Sequence, residues 1–303
     1  MKIIIFILLI SLSLFSKEIT SNEVYSQVMI IEEEVHSLLK YYGIKLSHDK
    51  LIKITKITTP LRPRNVWQRT YEIMIKINIL RDRYNLPVIE PINMTPVLNL
   101  NPDLVYEQTQ RILTEIKIFK LRRGIQELVL KEKVFKAKTP LDVFNALSRI
   151  SMIFDILNKG VVAPSLVFGE NVRVYDDITL ILQNLELQDD TIPEEKMLNA
   201  TPADTYSLGL DILQKIKQLQ IMSGISFVDF SEFKKSKVTS SDVFGLTQMI
   251  IAELQTIKAY LKIKTITHAA IKYNKKTLLE TNQLMSWNLR KLNLINSLNK
   301  KAE

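Results

Sequence analysis

One hexapeptide pattern recurs along the chain and constrains its fold more than any other feature. It reads Thr139-Pro140-Leu141-Asp142-Val143-Phe144, then Thr201-Pro202-Ala203-Asp204-Thr205-Tyr206 and Thr239-Ser240-Ser241-Asp242-Val243-Phe244. Thr20-Ser21-Asn22-Glu23-Val24-Tyr25 is a fourth copy, with looser ones at Arg62 to Trp67 and Asn101 to Tyr106 and the weakest at Val174-Tyr175. The pattern is that of a helix start. Threonine at N-cap accepts a bond from an orphan first-turn N–H, proline at N1 loses nothing by lacking one, and the acidic residue at N3 reaches back to the cap. The apolar residue before the cap (Ile19, Leu61, Leu100, Val238) can staple onto the valine at N4.

Taking that valine or threonine as position zero gives Val24, Val66, Val105, Val143, Val174, Thr205 and Val243, spaced 31 to 42 residues apart. Every copy has an aromatic at +1 and isoleucine at +7: Ile31, Ile73, Ile112, Ile150, Ile181, Ile212 and Ile250. Apolar residues continue at +4, +11 and +14, which is one face of a helix. The chain is therefore expected to be all-α, an array of about seven capped amphipathic helices forming a helical solenoid or an irregular bundle. The helices fall near 20–43, 62–85, 101–123, 139–158, 171–187, 201–223 and 239–262, followed by a terminal capping helix near 276–299 without the capping motif. The connectors are mostly long enough to return the chain along a helix, so all seven helices are expected to share one orientation, with an up-and-down bundle as the alternative. Connectors 126–136 and 231–237 read as short helices, and 86–99 and 161–168 as extended.

Residues 1–16 read as a secretory signal: Lys2, an unbroken apolar run from Ile3 to Ile10, and polar sequence from Ser16-Lys17. The run is too short to span a bilayer as a helix, so the mature domain is expected to be 17–303, periplasmic or secreted, with no membrane span. The absence of cysteine excludes disulfides and thiolate metal sites. The formal charge of +9 suits an acidic partner, and export argues against nucleic acid.

No Gly-rich phosphate loop, nucleophile elbow or paired-carboxylate motif occurs, so no catalytic residue, cofactor or metal is expected. His36, His48 and His268 are separated and form no H-x3-H pattern; Glu32-Glu33-Glu34 reads as a solvated run on a helix. Lys131, Lys133, Lys136 and Lys138, with Lys272, Lys275 and Lys276, read as solvated surface, and the aromatic column as core. Arginine concentrates with aromatics in the second and third repeats, and its planar fork holds carboxylate or phosphate in two-point contact. Trp67, Arg69, Arg81, Arg83, Arg122 and Arg123 are therefore the candidate binding residues.

Two functions fit: an exported interaction or scaffold protein of a bacterial-type envelope, binding a protein, peptide or anionic polymer, or a periplasmic small-molecule binding or sensing protein with its pocket between helices. N-terminal sequencing of the secreted chain is expected to begin near Lys17; recovery of Met1 from a membrane fraction overturns the export reading.

Overall fold

The computed structural model describes residues 18–126, 133–160 and 162–298. The expected signal segment and Lys131 lie outside them. The described residues form nine α-helices and no strand. They are α1 (Ser21–Tyr41), α2 (His48–Thr55), α3 (Pro63–Arg83), α4 (Pro102–Arg122), α5 (Pro140–Leu157), α6 (Pro164–Asn184), α7 (Pro202–Met222), α8 (Ser240–Tyr260) and α9 (Leu278–Asn293). Helix starts follow the motif. Thr20, Thr139, Thr201, Thr239 and Thr277 each cap with an acidic N3 partner in a two-way box. The apolar face then packs inward, and all seven isoleucines named above are 0% exposed.

Two corrections change the repeat. The fifth copy starts at Pro164, seven residues before its expected position, with Ala163 as N-cap. Position zero is therefore Val167, with Phe168 at +1 and Val174 at +7, and 161–168 is not an extended connector. A slip of seven residues is two helical turns and keeps the same stripe inward, so burial of Ile181 could not reveal it. The terminal helix does carry the cap, Thr277 with Glu280, and is an eighth copy with Thr281 at position zero. It was hidden because the polar Asn282 and Asn288 replace the aromatic and the isoleucine. Asn288 is buried and donates to the carbonyl of Asn171 at 3.1 Å.

With these corrections the copies fall into two sets of four. Position zero is Val24, Val66, Val105 and Val143, then Val167, Thr205, Val243 and Thr281, and in the second set the spacing is 38 each time. Contacts repeat the division. In the first set α1 and α3 each pack on both α4 and α5; in the second α6 and α7 each pack on both α8 and α9. Each set is thus a closed ring of four helices. The chain is an internally duplicated pair of bundles, not an open stack.

Within a set the helices are parallel. The starts of α1, α3, α4 and α5 meet around a void of about 10 Å³, lined by Ser21, Pro63, Pro102 and Pro140 with the four position-zero valines. Asn171 reaches Thr247, and Asp177 accepts from Lys258, so α6 and α8 also run together. The two sets oppose each other. Arg64 pairs with Glu253 and Gln68 with Gln248, so residue numbers rise along α3 as they fall along α8. The expectation of one shared orientation is corrected: it holds within each set and reverses between them, because only the short 158–163 segment separates α5 from α6 and cannot carry the chain back.

Six helices (α1, α3, α4, α6, α7, α8) each have 21 residues. Each stops at a left-handed residue at +19, namely Gly43, Asn85, Gly124, Glu186, Gly224 and Lys262. An apolar residue follows at +20 (Ile44, Leu86, Ile125, Leu187, Ile225, Ile263), and its N–H closes a bond back to the carbonyl at +15. The chain then returns along the outside as a strap. Arg81 donates to the carbonyl of Pro87, and Asn78 exchanges two bonds with Ile89. Thr267, His268 and Lys276 likewise meet Asp177, Arg173 and Ser165 in descending order. Of the connectors expected to be helical, 231–237 holds one 3-10 turn (Ser231–Phe233), and 133–136 of the other is not helical. The short helix is α2 instead, in the connector whose repeat spacing is longest.

Buried charges fix the register. Lys120 at +15 of α4 is 0% exposed and lies 2.5 Å from Glu34 at +10 of α1; Lys258 at +15 of α8 meets Asp177 at +10 of α6 at 2.6 Å. The same +15 to +10 offset joins Arg81 to Glu115 and, in the second set, Gln220 to Glu253. Glu32-Glu33-Glu34 is therefore not a solvated run: Glu32 and Glu34 are buried against Arg149 and Lys120, and only Glu33 pairs outside, with Lys133.

Between the sets, Glu253 accepts two bonds from Arg64, one from Asn65 and one from Gln220. Beside it Arg69 bonds Glu72, and Lys76 lies between Glu72, Ser151 and Asp155. Burial pushes Glu72 up, but Arg69 and Lys76 outweigh it and hold the carboxyl below its usual range; burial raises Asp155. Gly245 permits this contact, since a Cβ there would lie 3.1 Å from the Arg69 guanidinium and 3.2 Å from the Glu72 carboxylate.

Two outcomes are expected. Lys120→Met leaves Glu34 buried without its cation and should cost about 3–5 kcal/mol in urea unfolding, while Lys120→Met with Glu34→Met should recover most of that loss. A single variant as stable as the parent overturns the register role. The second concerns pH. Bonds from Thr277 and Lys196 hold the partly exposed Glu280 carboxyl down at about 2, below its unfolded value of 4.5. A depressed acid stabilises above its unfolded pKa and loses that contribution as pH falls through the folded one. The melting temperature of Glu280→Gln should therefore lie below that of the parent at pH 7, with the gap closing between pH 4.5 and 2.

Candidate functional site

Parallel packing gathers four helix C-termini at one end of the first bundle, and the candidate site is built there. A chain of contacts joins all four. Tyr42, after α1, stacks on Tyr84, after α3, with ring centroids 6.1 Å apart; Arg123, after α4, lies 4.3 Å over the Tyr84 ring. Arg83 donates to the carbonyls of Leu157 and Asn158 at 2.6 Å each, closing the end of α5. Burial, with Tyr84 next, pushes the Tyr42 phenol up to about 12, so it is neutral at physiological pH.

The outer surface of this end is cationic. Lys40, Lys45, Arg83, Arg122, Arg123 and Lys159 are exposed there, with Tyr41 and Leu121 as exposed apolar neighbours, and Asp82 is the carboxylate among them. Basic residues complement the partial negative charge of helix C-termini. That need does not account for all of them. At +17 and +18 the first bundle carries Tyr41-Tyr42, Arg83-Tyr84 and Arg122-Arg123, whereas the same columns of the second read Asn184-Leu185, Met222-Ser223 and Tyr260-Leu261. The second bundle has the same parallel helices and places no cation in these columns.

The structure thus brings together four of the six residues expected from sequence. Arg83, Arg122 and Arg123 lie on the surface of this end, and Arg81 lies beneath it, buried and tied to Glu115 and Pro87. Trp67 and Arg69 are elsewhere: Trp67 is core, and Arg69 is enclosed between Glu72 and the ring of Phe144. The two belong to the first turns of α3, at the other end of the bundle. Lys40, Tyr41, Tyr42, Lys45 and Lys159 were missed, because only the parallel packing of four helices far apart in sequence brings their ends together.

Other sequence expectations fare variously. Lys133 pairs with Glu33, while Lys138 lies over the Tyr25 ring and Lys276 over Phe168. The aromatic column is largely core: Trp67, Phe144, Tyr206 and Phe244 are buried, Tyr25 and Tyr106 pack at its margin, and Phe168 meets the ring of Tyr273. His36 and His48 are not separated: their ring centroids lie 5.9 Å apart.

A second depression, about 330 Å³, lies between α7, α9 and the strap before α7, lined by Glu194, Glu195, Asp204, Ser207, Asn282 and Ser286 among others. Two of its three carboxylates are engaged: Asp204 caps α7, and Glu194 accepts from Ser286. Among the described residues no helix is long and apolar enough to cross a membrane. No protein-family model, curated protein or solved structure matches the chain.

Proposed function

We propose that the chain is an exported helical-repeat interaction protein of a bacterial-type cell envelope, and that the cationic end of its first bundle binds an acidic partner, a protein segment or an anionic polymer. The observation that supports this most is the difference between two otherwise matched ends. Both bundles terminate parallel helices at the same position, yet one presents Arg83, Arg122 and Arg123 in the last columns and the other presents none. Exposed tyrosine and leucine beside guanidinium groups supply apolar contact and directional hydrogen bonding together, the composition of binding surfaces. Arg123 stacked on Tyr84 and Arg83 held by two carbonyls are ordered before any partner arrives, which lowers the entropy cost of contact.

The small-molecule reading takes second place. The void within the first bundle is too small for a ligand, and the larger depression is open and edged by Glu194, Glu195 and Asp204 instead of a closed apolar cavity.

A defined acidic probe tests the proposal. Fluorescein-labelled polyglutamate should bind the mature chain, and Arg122→Glu with Lys40→Glu should weaken binding at least tenfold while leaving the circular dichroism unchanged. Binding should also fall between low and physiological salt, where exposed charges are screened over about 8–10 Å. Salt-insensitive binding, or a variant that binds as the parent does, overturns the assignment to this end.

A further inference from the structure

We propose that Glu32, His36 and His48 form a site for one divalent transition-metal ion of the Zn²⁺ type. Their ligand atoms all lie within 4.8 Å of one another, and His48 Nδ1 is 3.9 Å from Glu32 Oε1. Glu32 and His36 are four residues apart and so share a face of α1; the turn after α1 brings His48, the first residue of α2, across to them. Two imidazoles and one carboxylate suit Zn²⁺ and its neighbours, whereas magnesium and calcium prefer oxygen alone. A tetrahedral ion with donors at about 2.0–2.1 Å needs them nearer than the structure places them. His48 can supply the movement, because its side chain is 50% exposed and stands on an eight-residue helix.

Two further observations favour a ligand here. The Nε2 atom of His36 is buried and has no hydrogen-bond partner. A buried ring nitrogen with nothing to meet it is costly, and a cation answers it. Arg149 holds the Glu32 carboxylate by two bonds of 2.6 and 2.8 Å. A carboxylate offers about four lone-pair directions, so this leaves some for an ion, and it orients the group as outer partners of metal ligands do. The Arg149 charge opposes the cation and weakens the expected affinity. The fourth position opens to solvent on the His48 side.

The placement also explains an irregularity of the repeat. The first connector is longer than the others, giving a spacing of 42 residues where the second set has 38, and its extra length carries His48 and α2. The ion would clamp α2 to α1, two elements otherwise joined through α5. At the corresponding positions of α6, +8 and +12, stand Tyr175 and Thr179, so α6 does not repeat the cluster.

The test uses the full chain stripped of metal, titrated with ZnCl₂ by calorimetry and with CoCl₂ by absorption. One ion should bind per chain. His36→Ala and His48→Ala should each weaken binding at least tenfold, and His268→Ala should leave it unchanged. His48→Cys should retain binding and add a thiolate-to-cobalt band in the near ultraviolet. If His36→Ala does not fold by circular dichroism, the two variants of the exposed His48 decide. No saturable binding up to millimolar metal overturns the site, as does binding that survives His48→Ala, or a His48→Cys variant that lacks the thiolate band.

Discussion

Four helices pointing the same way bring four carbonyl-rich ends together, and much of this structure answers that constraint. The partial charges of parallel helices add and repel where antiparallel neighbours would cancel. The chain meets this in three ways. Carboxylates occupy the first turn of α1, α4, α5, α7, α8 and α9, and basic residues stand in the last turn of α1, α3, α4, α8 and α9. The second bundle is then set against the first in the opposite sense, so α3 and α8 lie antiparallel at the junction. Parallel packing also dictates the straps, since each strand of connector must cover the length of a helix. A 21-residue helix is about 30 Å long, and a strap of about fifteen extended residues reaches well beyond that.

Apolar stripes alone would let such helices slide by a turn, as the seven-residue slip at Val174 illustrates on paper. Charged pairs do not tolerate sliding. Moving α4 by one turn against α1 would leave Lys120 and Glu34 both buried and apart, and each would then bear a desolvation cost of several kcal/mol without its partner. The +15 to +10 offset therefore specifies register, and its recurrence in both bundles shows that the duplicated unit is the four-helix ring, not the single helix. The junction between rings follows the same logic. Glu253 is used twice, by Gln220 within its own bundle and by Arg64 and Asn65 across the interface, so internal register and bundle docking depend on one carboxylate.

The helical class, the starts of six helices and the inward isoleucines were legible because caps and apolar periodicity are local. The fifth start was displaced because Ala163 replaces the threonine and Leu166 the acid, leaving the proline as the remaining signal of a cap. The eighth copy was lost for the converse reason: its cap is intact, but Asn282 and Asn288 break the apolar columns. Interior charge was misread throughout. Glu32, Glu34, Arg64, Lys120 and Lys258 look like surface residues by type, and their burial depends on partners roughly 80 to 190 positions away. The arginine concentration in the second and third repeats has mixed causes: Arg64 docks the bundles, Arg69 lines the junction, Arg81 fixes register, Arg62 stands at the N-cap of α3 and Arg111 holds the Glu90 carbonyl of a strap. Arg83, Arg122 and Arg123 form the candidate surface.

Comparing the two bundles column by column separates scaffold from what each half has made of it. The lysine-to-carboxylate pair from +15 to +10, the left-handed backbone at +19 and the apolar side chain at +20 recur in both, because helix contact and chain reversal depend on them. Other columns are free to differ. Glu32 at +8 of α1 pairs with Arg149 at +6 of α5, while the matching Tyr175 and Trp287 pack as rings 4.9 Å apart, so an ion pair and an aromatic pair fill the same place. Function in a duplicated scaffold belongs in such columns, where the fold is indifferent to the choice. The cationic end, at +17 and +18, and the histidine cluster, at +8 and +12 with the lengthened first connector, both fall there, and both fall in the first bundle. The second bundle differs inside as well: it places buried Thr205 and Thr281 at position zero, and Asn282 and Asn288 at +1 and +7 of α9, where the first has valine, aromatics and isoleucine throughout, so its interior columns are by the same reasoning a further place where the two halves have parted.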